Sequence, residues 1–338
     1  VRVALGKELG LNDGENAIGR IVAALRRMGF DEIYDTSTGA DLTVLEESAE
    51  LLKRIKEGNK DMPLFTSCCP AWVNYCEKHY PELLPHVSTC RSPMQMFAAI
   101  IKEENSTSSR RVVHVAVMPC TAKKFEADRE EFKVNGTPNV DYVISTQELI
   151  QMIKESGIVF SDLEPEAVDM PFGTHTGAGV IFGVTGGVTE AVLRRVVSDK
   201  SATSFMSLAY TGVRGMEGVK EASLMYGERK LKIAVVSGLK NASDLIEKIK
   251  AGEQYDLVEV MACPGGCING GGQPFVASEE KAKRGKGLYS ADKLCNIKSS
   301  EENPLMMTLY NGVLKGRVHE LLHVDYSAKK EADKSVGN

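Results

Sequence analysis

Three short segments carry most of the chemistry open to this 338-residue chain. They read Thr66-Ser67-Cys68-Cys69-Pro70-Ala71-Trp72, Met118-Pro119-Cys120-Thr121-Ala122-Lys123-Lys124-Phe125-Glu126, and Met261-Ala262-Cys263-Pro264-Gly265-Gly266-Cys267-Ile268-Asn269-Gly270-Gly271-Gly272-Gln273-Pro274. Each places cysteine where a strand meets a turn, so thiolates can converge from loops at one end of the sheets. Four thiolates are what a [4Fe–4S] cluster or a structural zinc ion requires. Adjacent side chains point to opposite faces of extended backbone and diverge by about 100° in a helix. Cys68 and Cys69 therefore do not share one small cluster; one is a ligand and the other a free thiol beside it. With Cys120, Cys263 and Cys267, the segments hold four ligands and a spare. Glycines around Cys267 let backbone approach closely and aim N–H groups at sulfide. Lys123 brings three N–H donors toward the same place. Zinc ribbons use paired C-x₂-C knuckles, and no such spacing occurs here.

The other cysteines, Cys76, Cys90 and Cys295, lack glycine or proline company and read as inert core residues. Eight cysteines, unevenly placed, do not make a disulfide scaffold. The chain has 41 Lys plus Arg against 46 Asp plus Glu, a net charge of −5, and 43% hydrophobic residues. That excludes wholesale disorder and leaves no basic footprint for nucleic acid or anionic lipid. No apolar run approaches the roughly 18 residues needed to span a bilayer. Val1-Arg2-Val3-Ala4-Leu5 reads as the middle of an element, so a longer parent chain is expected. Localisation is expected to be cytoplasmic, with an upstream targeting signal left open.

The elements that must position these residues alternate. Helices are predicted over Ala17–Met28, Asp41–Glu57, Gln147–Glu155 and Asp244–Lys250. Strands are predicted over Val112–Met118, Tyr142–Ser145, Lys232–Ser237 and Leu257–Met261. The alternation predicts an α/β fold with two lobes, each a twisted, mostly parallel sheet flanked by helices. Loop signals at 165–176 put the lobe boundary near 165. An N-terminal lobe, 1–165, then carries the Cys-Cys and Met-Pro-Cys motifs. A C-terminal lobe, 166–327, carries Cys-x₃-Cys, and 328–338 is a frayed tail.

The three segments, in this order, closely resemble the signature motifs of the catalytic domain of [FeFe]-hydrogenases: TSCCPxW, MPCxxKxxE, and a Met-Ala-Cys motif ending in Gly-Gly-Gly-Gln-Pro. The similarity runs from Arg2 to about Tyr326. It implies an H-cluster in the cleft between the lobes: a [4Fe–4S] cubane joined to a diiron unit with CO, CN⁻ and a bridging dithiolate amine. Carried over by motif, Cys69, Cys120, Cys263 and Cys267 are the cubane ligands, Cys267 also bridging to the diiron unit. Cys68 becomes the thiol that exchanges protons, and Lys123 the donor to a cyanide. Pro119, Met118, Met261 and Phe182 become the pocket wall, although Phe182 alone reads equally well as an ordinary core aromatic. The reaction implied is 2H⁺ + 2e⁻ ⇌ H₂. The partners implied are a redox protein (a ferredoxin or NADH-oxidising subunits with further iron–sulfur clusters) and maturation proteins for the diiron unit.

The resemblance also implies a proton relay from Cys68 through Glu47, Ser88 and Glu50 to a surface arginine, Arg54. Residues 47, 50 and 54 fall on one side of the Asp41–Glu57 helix, opposite its apolar residues. Residue pattern alone reads them as a solvated charged face. Ala71 stands where many family members have glycine, and Met94 where many have a glutamine that contacts the diiron unit; Gln95 is its neighbour. The family's Ala-Pro-Ala or Ala-Pro-Ser would precede Val1. Accessory ferredoxin-like clusters also lie upstream in members that have them. The rival function is a non-catalytic iron–sulfur assembly or redox-sensing relative, and such relatives usually lose the Cys-Cys pair, the spare cysteine or the motif lysine.

Two patterns are decoys. His319-Glu320-Leu321-Leu322-His323 matches a zinc-protease signature but lacks a third ligand. The Gly177–Gly183 stretch imitates a dinucleotide fingerprint with the wrong glycine spacing.

Overall fold

The computed structural model describes residues 1–58, 62–106, 108–134, 136–196 and 218–327; the expected tail 328–338 lies outside them. Its main sheet has four strands in the order Leu64–Phe65, Leu257–Met261, Arg229–Ser237, Val219–Tyr226. The first three run parallel, and the fourth closes an antiparallel hairpin. Leu257–Met261 is buried along its whole length, the pattern of a strand covered on both faces. A second parallel pair joins Val115–Met118 to Tyr142–Ser145. The helix Thr146–Glu155 follows directly, started by a capping box between Ser145 and Glu148. Its Leu149, Ile150 and Ile153 pack on Ile21, Val22 and Leu25 of the helix Ile18–Arg27.

The predicted strand at Val112 begins only at Val115, because the partner strand is four residues long and the register starts at Val115↔Tyr142. Asp141 accepts the His114 N–H at 2.9 Å and ends the ladder, leaving Val112 and Val113 exposed. The predicted helix at 244–250 starts five residues earlier, at Leu239, and the strand expected at Lys232 starts at Arg229. The edge strand Leu64–Phe65 comes from before residue 165 and pairs with Leu257–Met261 from after it, so strand pairing crosses the expected lobe boundary.

The helix Ser37–Glu57 runs through the middle of the fold. Asp41, Thr43, Glu47 and Ser48 are fully buried on it, beside Leu42, Val44 and Leu51. A solvated face is therefore absent where the residue pattern suggested one. The helices Pro93–Glu104, Gly177–Ile181 and Gly187–Val196 pack around it. Among the described residues, no helix is long and apolar enough to cross a membrane.

Candidate metal centre

All three cysteine segments leave the carboxyl ends of parallel strands, where α/β sheets characteristically build their sites. Cys68 and Cys69 follow Leu64–Phe65, Cys120 follows Val115–Met118, and Cys263 follows Leu257–Met261. Backbone bonds stitch the segments together. Gly272 N–H donates to Pro119 O at 3.1 Å, Gly266 N–H to Cys263 O at 2.9 Å, and Ile268 N–H to Gly183 O at 3.1 Å. Two glycines are required here. Gly266 has φ +89°, and a Cβ there would sit 2.6 Å from Thr185 N; a Cβ on Gly270 would sit 2.1 Å from Pro119 O.

The five motif cysteines are all free thiols lining one cavity of about 790 Å³. Burial, then the nearby Cys120, Cys69 and Cys263 sulfurs, pushes the Cys267 thiol up, while Lys123 opposes them. Burial pushes Cys69 to about 11 although the Ala262 and Trp72 N–H groups point at it. Burial and Cys120 also raise Cys263. These four sulfurs are mutual neighbours, yet no three of them have sulfurs all within 4.8 Å of one another. A tetrahedral zinc–thiolate site needs sulfurs about 3.8 Å apart, from Zn–S bonds of about 2.3 Å. The four thiols suit a multinuclear cluster whose irons stand apart, and not a single ion.

Cys68 is the fifth. It packs with Ala40, Val44, Phe182 and Met261, with Cys69 and Cys267 against that group. Burial, then Glu47, holds its thiol well above the usual range. Met118, Pro119, Phe182 and Met261 all line the cavity, so Phe182 is both core aromatic and cavity wall. Met94 lines it too, whereas Gln95 is fully buried away from it with neither amide atom bonded. Lys123 is buried, its Nζ 2.7 Å from Glu126 Oε2 and 3.4 Å from Cys68 O. Ser92 Oγ donates to the same Glu126 oxygen at 3.0 Å. Glu126, Cys120 and Cys68 outweigh burial and raise the lysine, so it stays charged.

Behind Cys68, three of the expected relay residues, Glu47, Ser88 and Arg54, are buried, and Glu50 is largely covered. Glu47 is fully buried with the Ser88 hydroxyl facing it, and burial, then Glu50 and Glu259, holds it well above the usual carboxylate range. Ser88 Oγ donates to Glu50 Oε2 at 3.0 Å. Arg54 donates to Glu50 Oε1 through Nε (3.1 Å) and Nη2 (2.5 Å). Arg54 is not a surface residue: only 8% of it is exposed, because it reaches under the chain to Pro85 O and Val87 O.

One acid escaped the sequence reading. Glu259, central in the buried strand Leu257–Met261, accepts N–H groups of Gly186 (2.6 Å) and Thr189 (2.7 Å) where the helix Gly187–Val196 begins. Burial still pushes it up to about 7. Its only sequence signal is a single acid inside an apolar strand. His319 and His323 are not a zinc pair: their rings stack 5.3 Å apart, and among the described residues they form no metal-binding group with Glu320.

Comparison with known proteins matches residues 1–271 to the family "Iron only hydrogenase large subunit, C-terminal domain" and residues 278–329 to "Iron hydrogenase small subunit". The NADP-reducing hydrogenase subunit HndD of Solidesulfovibrio fructosivorans is 44% identical across 96% of this chain and 58% of its own length. Iron hydrogenase 1 of Clostridium pasteurianum is 41% identical across 96% and 59%. The chain thus spans under two thirds of these relatives. Cytosolic iron-sulfur assembly component 3 of Bos taurus is 31% identical across 98% and 73%. Structures of [FeFe]-hydrogenase HydA1 from Chlamydomonas reinhardtii variants superpose with a TM-score of 0.81 at 38% identity, covering 96% of this chain and 91% of theirs. With the same family matched across both the cysteine segments and the fold that converges them, the chain belongs to the iron-only hydrogenase large-subunit family.

Proposed function

We propose that this chain is the catalytic domain of an [FeFe]-hydrogenase, which reversibly reduces protons to H₂ at an H-cluster. The observation that carries the reading is Cys68: a thiol left over from the four-sulfur set, facing an apolar cavity on one side and a buried acid on the other. When bound, the H-cluster (a [4Fe–4S] cubane and a diiron unit with CO, cyanide and a bridging dithiolate amine) would pass electrons to and from the redox partner and would supply the metal chemistry by which H₂ forms or splits. Cys69, Cys120, Cys263 and Cys267 hold the cubane. Met118, Pro119, Met261 and Phe182 keep water from the diiron side. Lys123, fixed by Glu126, presents its remaining donor to a cyanide, a charge-assisted contact in low dielectric. Cys68 exchanges a proton with Glu47, and Ser88 and Glu50 continue the path behind it. The partners are a redox protein and the maturation machinery for the diiron unit.

A non-catalytic reading has one observation in its favour, the 31% identity to an iron–sulfur assembly component across nearly the whole chain. The retained Cys68 and Lys123 weigh against it. The test is an infrared spectrum of anaerobically matured protein beside a matured hydrogenase, with Cys68→Ala in parallel. Metal-bound CO and CN⁻ bands that shift under H₂, with turnover lost and bands kept in Cys68→Ala, support the hydrogenase. A cubane without those bands, with the control positive, refutes it.

A further inference from the structure

The relay as sequence resemblance draws it ends on Arg54, and a guanidinium does not give up its proton. The structure holds a different way out of Glu50. Thr89 Oγ1 donates to Glu50 Oε2 at 3.1 Å and stands 2.8 Å from His323 Nδ1. On the other side of the ring, His323 Nε2 is 3.0 Å from Glu46 Oε2. The backbone that carries the ring is held from several directions. Cys90 and His323 form an antiparallel bridge, Arg91 Nε donates to His323 O at 2.9 Å, and Val324 N–H donates to Thr89 O at 2.7 Å.

We propose that protons pass between Glu50 and the exterior through Thr89, His323 and Glu46, a branch that uses the second histidine of the His-Glu-Leu-Leu-His stretch. The proposal rests on the hydrogenase reading above. Inward, the imidazole takes a proton at Nε2 from the Glu46 side and gives its Nδ1 proton to Thr89 Oγ, whose own proton goes to Glu50. One proton enters and one leaves; no other bond changes, and rotation of the hydroxyl with ring tautomerisation resets the chain. Imidazole suits the task because it exchanges protons near neutral pH through two distinct nitrogens. The groups facing it are Glu46 and Glu50 of the central helix, Thr89 and Cys90 of the adjoining loop, and the stacked ring of His319. Tyr310, bonded to Glu46, and Arg195 set the charge behind that acid, which His323 and Tyr310 hold below the usual range against burial.

The test compares His323→Asn, which keeps a donor at the Nδ1 position but cannot relay, with Thr89→Val, which keeps the shape and removes the hydroxyl. Both are expected to lower turnover about tenfold or more at alkaline pH and to change the solvent deuterium isotope effect. CO and CN⁻ infrared bands should not move. In cubane-only protein, both variants should shift the carboxylic C=O stretch that responds to pH at Glu50, a readout independent of turnover. Glu47→Gln separates the two levels of the claim. If Glu47→Gln keeps full turnover, the relay itself is wrong and the branch falls with it. If Glu47→Gln abolishes turnover while both branch variants keep the wild-type rate, pH profile and carboxyl band, the relay stands and the branch is overturned. Loss of turnover together with the CO and CN⁻ bands in both branch variants would make His323 structural and also overturn it.

Discussion

Asp41 offers a quantitative test of how burial governs the charge beside the cavity. Its carboxylate is fully buried on the central helix. Oδ1 accepts from Thr176 Oγ1 (2.5 Å) and Ser300 Oγ (2.8 Å); Oδ2 accepts from Thr176 N (3.2 Å) and Asn303 Nδ2 (3.0 Å). Burial nevertheless raises it to about 6, against these bonds. The ordinary aspartate value is about 3.9, so the shift is worth roughly 3 kcal/mol at about 1.4 kcal/mol per unit. Below pH ~4 the group is protonated whether the region is closed or open, and costs nothing. As pH rises from about 4 to about 6 the open state has already lost its proton while the closed state still holds one, so the closed state progressively loses that stabilisation and the loss levels off above about 6. Asp41→Asn should abolish this loss. Oδ1 faces only hydroxyls, which can accept from an amide NH₂, so every contact survives the exchange. Thr176 caps the helix Gly177–Ile181, and Gly179 of that helix lines the cavity. Amide hydrogen exchange at residues 178–181 of the loaded protein, corrected for intrinsic rates, therefore reads the effect locally. Protection of Asp41→Asn relative to wild type should rise by roughly a hundredfold from pH 4 to 7 and then level off. A ratio that stays flat would mean that the four hydrogen bonds outweigh burial, and the reasoning would be wrong.

Glu47→Gln should cut H₂ evolution by about a hundredfold or more while leaving the CO and CN⁻ bands in place, which paired turnover and infrared measurements would check. Gly270→Ala drives a Cβ against the Pro119 carbonyl and should cost about 2–3 kcal/mol, seen as lower iron content per chain and a lower melting temperature. Arg194 binds Asp292 through both Nη atoms (2.9 and 2.8 Å) and Glu190 at 2.7 Å. Arg194→Met removes both bonds to the buried Asp292 carboxylate and should lose about 3 kcal/mol or more; a denaturant midpoint unchanged from wild type would contradict this.

The cysteine loops were legible because each motif is local, and two of them combine a predicted strand, a break and a cysteine within a dozen residues. Glu259 was not, because what satisfies it is the start of a helix some 70 residues earlier, and period-two patterning carries no record of that. Helix phase put residues 47, 50 and 54 on one side correctly, but phase alone cannot say whether that side meets water or protein. Here the segment around Pro85–Thr89 covers it, so Glu47 and Arg54 are buried and Glu50 bonds Arg54, Ser88 and Thr89 in place of a solvated face. The strand Leu64–Phe65 has two residues, too few for any periodicity, yet it ties the Cys68-Cys69 segment to the Cys263 segment across the boundary that loop signals suggested. His323 matched a metal motif in sequence, while its actual partners, Thr89 and Glu46, lie more than 200 residues away.

In the proposed hydrogenase reading, the Cys-Cys dipeptide is where the proton side and the electron side would part. Cys69 sits in extended conformation (φ −95°, ψ 103°) just ahead of the helix Pro70–His79, so its neighbour must point away from it. Burial raises both thiols; beyond it, Cys69 feels Cys120 and Cys263, whereas Cys68 feels Glu47. Proline at the first helical position suits this junction, since it needs no N–H there and biases the preceding residue toward extended backbone. Two thiols of the same chemistry are thereby given different surroundings by one backbone turn. The proposed acid-to-thiol proton path would need no opening to bulk water in the cavity wall, which would leave Met118, Met261 and Phe182 free to be apolar.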